Sequence, residues 1–228
     1  NNDTVLDAGA LDALLQAAEG LRRREPRFAV AQPVLVRADR PDVVDSCGQR
    51  LGRLPGACDL LAGEPVARLP RAPVEIFGPC GAATLLHHDA LQQVAGYDEA
   101  LFVLFEDTDL AFRLRALGFR AALLPAVRVR HQRGVSAGAR DRGAMRQRKF
   151  WVQRNVVALA LRYWPLSALL AAAPVLAWRV LCALWLRRGR CLPLWSQSLR
   201  ARRRVQKQLR ANGGHTWFGV GVRALGDD

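Results

Sequence analysis

The chain has 228 residues, half of them apolar, and a formal net charge of +14. That apolar share excludes a disordered polymer, and the length is enough for one large domain, or a domain with an appendage, around a substantial core. The charge points to an anionic partner: nucleic acid, a membrane surface or a phosphorylated substrate. Nearly all of that charge is arginine, since lysine occurs only at Lys149 and Lys207, and alanine is abundant. Codon composition could produce part of such a skew. The five cysteines (47, 58, 80, 182 and 191) are scattered, with no CxxC pair and no Cys/His cluster. Neither a zinc site nor a disulfide frame is indicated, and a reducing, cytosolic setting fits. The chain begins with neither a methionine nor a signal-type segment. It opens as if a motif were already under way, so we expect it to be N-terminally truncated.

In chain order, residues 1–7 read as the end of a strand and a turn. Apolar spacing at Leu11, Leu14, Leu15 and Ala18 predicts a helix over 9–20. "FAVAQPVLV" at 28–36 is a strand, with Pro33 suggesting an edge or a bend. Residues 37–72 lack a sustained period and are expected to form a long, variable surface insertion. A strand at 74–77 then meets the turn Gly78-Pro79-Cys80-Gly81. An apolar segment at 82–86 leads to a helix from near His88-Asp89 to Gly96, with His87 and His88 on its solvent side.

"LFVLFEDTDLAFRLRALGFRA", residues 101–121, places Glu106, Asp107 and Asp109 directly after an apolar run. Leu110, Phe112, Leu114 and Leu117, with Arg113 and Arg115 between, predict an amphipathic helix over 106–117 closed by Gly118. The acids have two readings here. Carboxylates in a first helical turn are stabilised by the macrodipole, by about 0.3–1 kcal/mol each; they could equally belong to a reacting site. Strand-like "FRAALLP" and "VRVRH" follow, ending at His131. Strands alternating with helices imply an α/β fold class, placed over 1–134.

From about 135 the chain becomes a basic, Trp-rich helical tail (135–228). All six tryptophans lie here, at 151, 164, 178, 185, 195 and 217. The segment 165–186 is apolar apart from Arg179, and 187–210 carries nine basic residues and no acid. Its length approaches that of a membrane span. Arg179, Pro174 and the two basic flanks favour instead an interfacial helix pair bent near Pro174, on the cytoplasmic side of the membrane. A true span, and a helix buried against the α/β domain, stay open. The basic run has no recognisable recognition fold, so nucleic acid is the weaker partner.

Four segments stand out for chemistry: "NND" at 1–3, "GPCGAA" at 78–83, "FEDTD" at 105–109, and His131 with "RGVS" after it. In their order and spacing they resemble the inverting glycosyltransferases of family 2, which have the GT-A fold, and among them the rhamnosyltransferase-like members. The resemblance covers roughly 1–165. It implies the C-terminal portion of a GT-A catalytic domain, a nucleotide-sugar donor and a glycan or lipid-linked acceptor, as in polysaccharide or cell-wall biosynthesis. It also implies Mg²⁺ or Mn²⁺ on the diphosphate, held by Asp3 and His131, with Asn1 in place of the first acid of the family's DxD motif. By the same likeness Asp107 is the general base and Glu106 orients the acceptor or its loop. Gly78, Gly81, Asp109 and Arg154 are candidate substrate contacts, with Arg130 and Arg133 as further diphosphate candidates. A helix N-terminus should keep Asp107 ionised near neutral pH. Gly78 and Gly81 could equally serve strand–helix packing, and Asp109 could only cap the helix. A nucleotide-binding half would precede this chain, so the 228 residues alone are expected not to transfer sugar. The rival reading is a non-catalytic membrane adaptor, or a basic nucleic-acid-binding module, on a decayed transferase scaffold.

Overall fold

The computed structural model describes residues 1–52, 54–132, 142–186, 191–218 and 222–223. Two long strands form its spine, β2 (Phe28–Arg37) and β8 (Arg120–His131), which run parallel to one another. Around them lie β1 (Thr4–Leu6), β3 (Val44–Ser46), β6 (Val74–Ile76), β7 (Leu85–Leu86) and β9 (Val222–Arg223). They form a seven-stranded mixed sheet with the path β3-β2-β8-β6-β9; β1 pairs with β8 and β7 with β2. A separate hairpin joins β4 (Gln49–Leu51) to β5 (Ala57–Asp59).

Pro33 does not mark an edge, because β2 is paired on both sides. Instead the ladder jumps there: Pro33 faces Leu124, but Val34 faces Arg128. Pro125 lies inside that jump. A proline offers no N–H to a ladder, so the two prolines share one irregularity and "FRAALLP" and "VRVRH" fuse into a single bent strand. The bend aims the end of β8, with His131, alongside β1.

Helix α1 (Ala10–Arg24) covers one face, with Leu14 and Leu21 against Phe28, Ala31, Ala122 and Leu124. It runs past Gly20, where an end was expected. The short α2 (His88–Gln93) and α3 (Glu106–Ala116) cover the other face through Ala90, Leu110 and Leu114.

The expected surface segment 37–72 is largely ordered. It supplies β3, β4 and β5 and buries Val44, Asp45, Ser46, Cys47 and Leu51. Its residues are too short-ranged in pattern to show a period, yet they pair with β2 and pack under α3.

The tail helices are α4 (Arg142–Tyr163), α5 (Leu166–Ala171), α6 (Ala173–Leu186) and α7 (Leu192–Ala211). They do not form an independent unit. Phe112 of α3 stacks on Tyr163 with centroids 4.1 Å apart and meets Trp164 edge-on at 5.4 Å. Phe77, Phe112, Phe150, Tyr163, Trp164, Trp195 and Trp217 belong to one buried cluster. Helix α3 is therefore covered on both sides, and its amphipathic reading needs correction. Leu117 is exposed, whereas Arg115 is buried and paired with Glu75 at 2.6 Å, beneath the Trp217 ring. Among the described residues no helix is long and apolar enough to cross a membrane. The apolar segment breaks at Ala172, two residues before Pro174.

Candidate active site

The strand pairing between β1 and β8 sets Thr4 opposite His131 and so brings Asp3 beside the histidine ring. His131 Nε2 lies 3.4 Å from Asp3 Oδ1, and His131 Nδ1 lies 2.7 Å from Asp45 Oδ2. Asp45 comes from β3, in the stretch where no site was expected; nothing in its sequence surroundings marks it. With Asp45 taking the proton on Nδ1, the Nε2 lone pair faces the Asp3 carboxylate. An imidazole nitrogen and a carboxylate oxygen are both of the donor types that divalent cations take. A carboxylate oxygen and an imidazole nitrogen at this separation suit an ion that accepts both donors, as Mn²⁺ does. Among the described residues no group of three or more His, Cys, Asp and Glu side chains is arranged to hold a metal.

The catalytic candidates lie one loop away. The backbone nitrogen of Asn1 donates to Ala82 O at 3.1 Å, and Gly81 N donates to Asp107 Oδ2 at 2.9 Å. The loop between is held by buried Gln32, whose amide donates to Ala83 O and accepts from Cys80 N. Asn1 and Asp107 therefore contact the same loop, and Asn1 lies two residues before Asp3. Asp107 Oδ1 also accepts from Thr108 N at 2.8 Å, and Thr108 Oγ1 donates to Gln49 at 2.8 Å.

The helix terminus is not the only influence on the Asp107 carboxyl. Burial pushes its carboxyl above the ordinary carboxylate value, and nearby Asp59 adds to the rise; the Gly81 and Thr108 N–H groups and Gln49 only offset it. Glu106 is raised too, by burial first and then by Asp107. Its Oε2 is buried and accepts no hydrogen bond among the described residues. Tyr97, partly exposed, flanks both acids, whose charges add to the effect of burial in raising its phenol.

The two glycines have distinct duties. A Cβ on Gly78 would stand 2.3 Å from the Ala111 Cβ, so Gly78 is where the strand end touches α3. Gly81 presents the N–H that anchors Asp107.

Asp109 and Arg154, expected as substrate contacts, are instead buried and bonded within the fold. Asp109 is fully buried, with Oδ2 bound by Arg113 at 2.6 Å and Oδ1 by Arg162 at 2.8 Å and Tyr163 at 2.6 Å. Arg154, also buried, donates to the carbonyls of Ala100 and Leu101. Arg130 pairs with Asp7 on the surface, and Arg133 lies outside the described residues.

Sequence reading also passed over Asn155. It is fully buried, and its amide nitrogen lies 3.0, 2.9 and 2.7 Å from the carbonyls of Leu101, Val103 and Leu104. The loop it grips holds Phe102, Leu104 and Phe105 at φ of 65°, 67° and 70°. Left-handed backbone in residues with a Cβ costs about 1–3 kcal/mol each and persists only where surrounding contacts impose it. Here that strain lies directly before Glu106 and Asp107.

The model of the family "Glycosyl transferase family group 2" matches residues 2–199. The chain belongs to that family. Its mixed α/β architecture fits a GT-A-like domain. The chain is also similar to the N-acetylglucosaminyl-diphospho-decaprenol L-rhamnosyltransferase of Mycobacterium tuberculosis strains CDC 1551 / Oshkosh and ATCC 25618 / H37Rv. Each is 30% identical over 149 residues, which is 60% of this chain and 47% of the relative. The family 2 chain thus spans about half the length of the curated relatives it matches.

Proposed function

We propose that the protein is an inverting glycosyltransferase that moves a sugar, by its likeness a rhamnosyl group, from a nucleoside diphosphate to a glycan or lipid-linked acceptor. Asp107 is the general base. Inversion requires one displacement, in which the acceptor hydroxyl attacks the anomeric carbon as its proton leaves and the diphosphate departs. The observation that carries this reading is the anchoring of Asp107 on Gly81 N–H, in the loop that also meets Asn1 beside Asp3 and His131. A raised carboxyl is a stronger base than a free aspartate. Glu106, half-buried and next in line, orients the acceptor.

Asp3 and His131 would hold a divalent cation, with Asp45 fixing the ring from behind; the ion would neutralise charge on the departing diphosphate. Mn²⁺ binding followed by electron paramagnetic resonance tests the pair apart from turnover. Asp45→Asn should weaken binding about 10–100-fold, and wild-type affinity in Asp3→Asn would remove Asp3 from the ligand set.

In the full-length protein, assayed with a nucleotide-sugar donor, Asp107→Asn should lower kcat by about 10²–10⁴-fold while the melting profile and Mn²⁺ binding persist. Undiminished transfer would dismiss Asp107 as the base.

A further inference from the structure

One apolar surface of the tail helices remains uncovered. Leu166 and Leu170 of α5, with Val175, Trp178, Leu181 and Trp185 of α6, are exposed large apolar side chains; Trp178 is 67% and Trp185 77% exposed. On α6 these positions share one side of the helix, while Leu176, Val180, Ala183 and Leu184 on the other side pack into the core. So large an apolar patch on a folded surface marks an interaction site.

Its surroundings say with what. No Asp or Glu occurs between residues 142 and 226, while Lys and Arg recur throughout. At one end of the stripe, Leu166 borders a groove of about 480 Å³ whose other walls are Arg202, Arg203, Gln206, Lys207 and Arg210. Arg202 spends its donors on the carbonyls of Leu161 and Trp164, but Arg203, Lys207 and Arg210 make no ion pair among the described residues. At the other end the Arg146 guanidinium lies over Trp185, 5.6 Å from the ring centroid.

We propose that the outer face of α5 and α6 docks on an anionic lipid bilayer, with lipid phosphates taken by the groove along α7. This proposal does not rest on the transferase reading. A tryptophan and leucine stripe flanked by cations is the pattern of a helix lying in the interface plane. Helix α6, with 14 residues, is about 21 Å long, short of the roughly 30 Å hydrocarbon core. A second copy of the chain would bring the same acid-free, cationic rim against itself, and Leu166, Leu170, Val175 and Leu181, four of the six exposed side chains, are aliphatic and offer nucleic-acid bases no stacking surface. Docking would also set the strained loop near lipid. The helix whose Arg146 covers Trp185 also carries Trp151, which meets exposed Phe102 at 5.2 Å, just before Glu106.

The test is co-sedimentation of the 228-residue chain with phosphatidylcholine vesicles with and without phosphatidylglycerol. Binding should require phosphatidylglycerol and fall as salt rises. The double substitution Trp178→Ser and Trp185→Ser should weaken it by about tenfold or more, with the melting profile retained. Arg203→Gln, Lys207→Gln and Arg210→Gln together should cost about tenfold or more at low salt. Should the tryptophan variant misfold, quenching of wild-type tryptophan fluorescence by brominated lipid gives the same answer. Three outcomes overturn the proposal: no quenching and no sedimentation with anionic vesicles; a concentration-dependent dimer that the tryptophan substitutions abolish; or release from vesicles by a DNA oligonucleotide that itself binds through Trp178 and Trp185.

Discussion

Glu106 and Asp107 are carboxyls whose burial opposes their charge, and that has consequences for both rate and stability. With the Asp107 carboxyl raised, the acid limb of kcat/KM should lie above the usual carboxylate range, and transfer should fall as pH drops through it; a pH–rate profile of the full-length protein reads this directly. For stability the sign is the reverse of a salt-bridged acid. A raised folded value means the fold prefers the protonated form, so the contribution of Glu106 is complete below its unfolded pKa and is lost as pH rises through the folded one. Glu106→Gln should therefore stabilise the protein by about 0.5–2 kcal/mol near neutral pH, with the gain fading in acid, as thermal melts at several pH values would show. Asp109 matters through its partners. Removing it as Asp109→Ala strands Arg113, Arg162 and Tyr163, and denaturant titration should register a loss of about 3–5 kcal/mol. The run "FEDTD" announces that acids matter without sorting them. Asp107 and Asp109 sit two residues apart, and only tertiary contacts separate the carboxylate that Gly81 binds from the one that Arg162 and Tyr163 hold in the core.

At the level of elements, the contact between the Gly78 turn and α3 and the grip of α4 on the 100–105 loop set the acids in place. Gly78→Ala forces a methyl group against Ala111. We expect a loss of about 1–3 kcal/mol, and its recovery on adding Ala111→Gly in a double-mutant cycle would identify the cause as that single clash. Asn155→Ala releases three carbonyls from a loop with three left-handed residues. It should cost about 2–3 kcal/mol and lower kcat more than it raises KM. Long elements were legible: β2 and α3 end within a few residues of expectation, and β8 joins the two strand-like runs that were expected there. Arg115 was not, because its buried partner Glu75 lies 40 residues upstream; a lone arginine between leucines reads as solvent-facing. Asp45 and Gln49 escaped for a related reason. Strands of three residues carry too little alternation to be seen, and their value to the site comes wholly from what they pair with.

For the molecule as a whole, the boundary drawn near residue 135 separates two compositions but not two folding units. Phe112 belongs to the α/β part and Tyr163 and Trp164 to the tail, and their rings share one core. Denaturation followed by tryptophan fluorescence and by far-ultraviolet dichroism should therefore give coincident curves. A chain stopped before α4 should not fold, because α3 would expose the side that Tyr163 and Trp164 cover. The likeness in "NND", "GPCGAA" and "FEDTD" led to the family, while composition alone would have led to any anionic partner. The tail's tryptophans divide in a way that composition does not reveal: Trp164, Trp195 and Trp217 are core, and Trp178 and Trp185 are outward.

The last paired strand has a protective side. Val222 and Arg223 of β9 hydrogen-bond to the outer flank of β6, so a chain clipped just upstream of them leaves an open ladder on a short, largely buried strand. Bare ladders recruit other chains. Clumping of a trimmed preparation would then precede any fault in its chemistry, and intact mass is the first thing to check in material that precipitates.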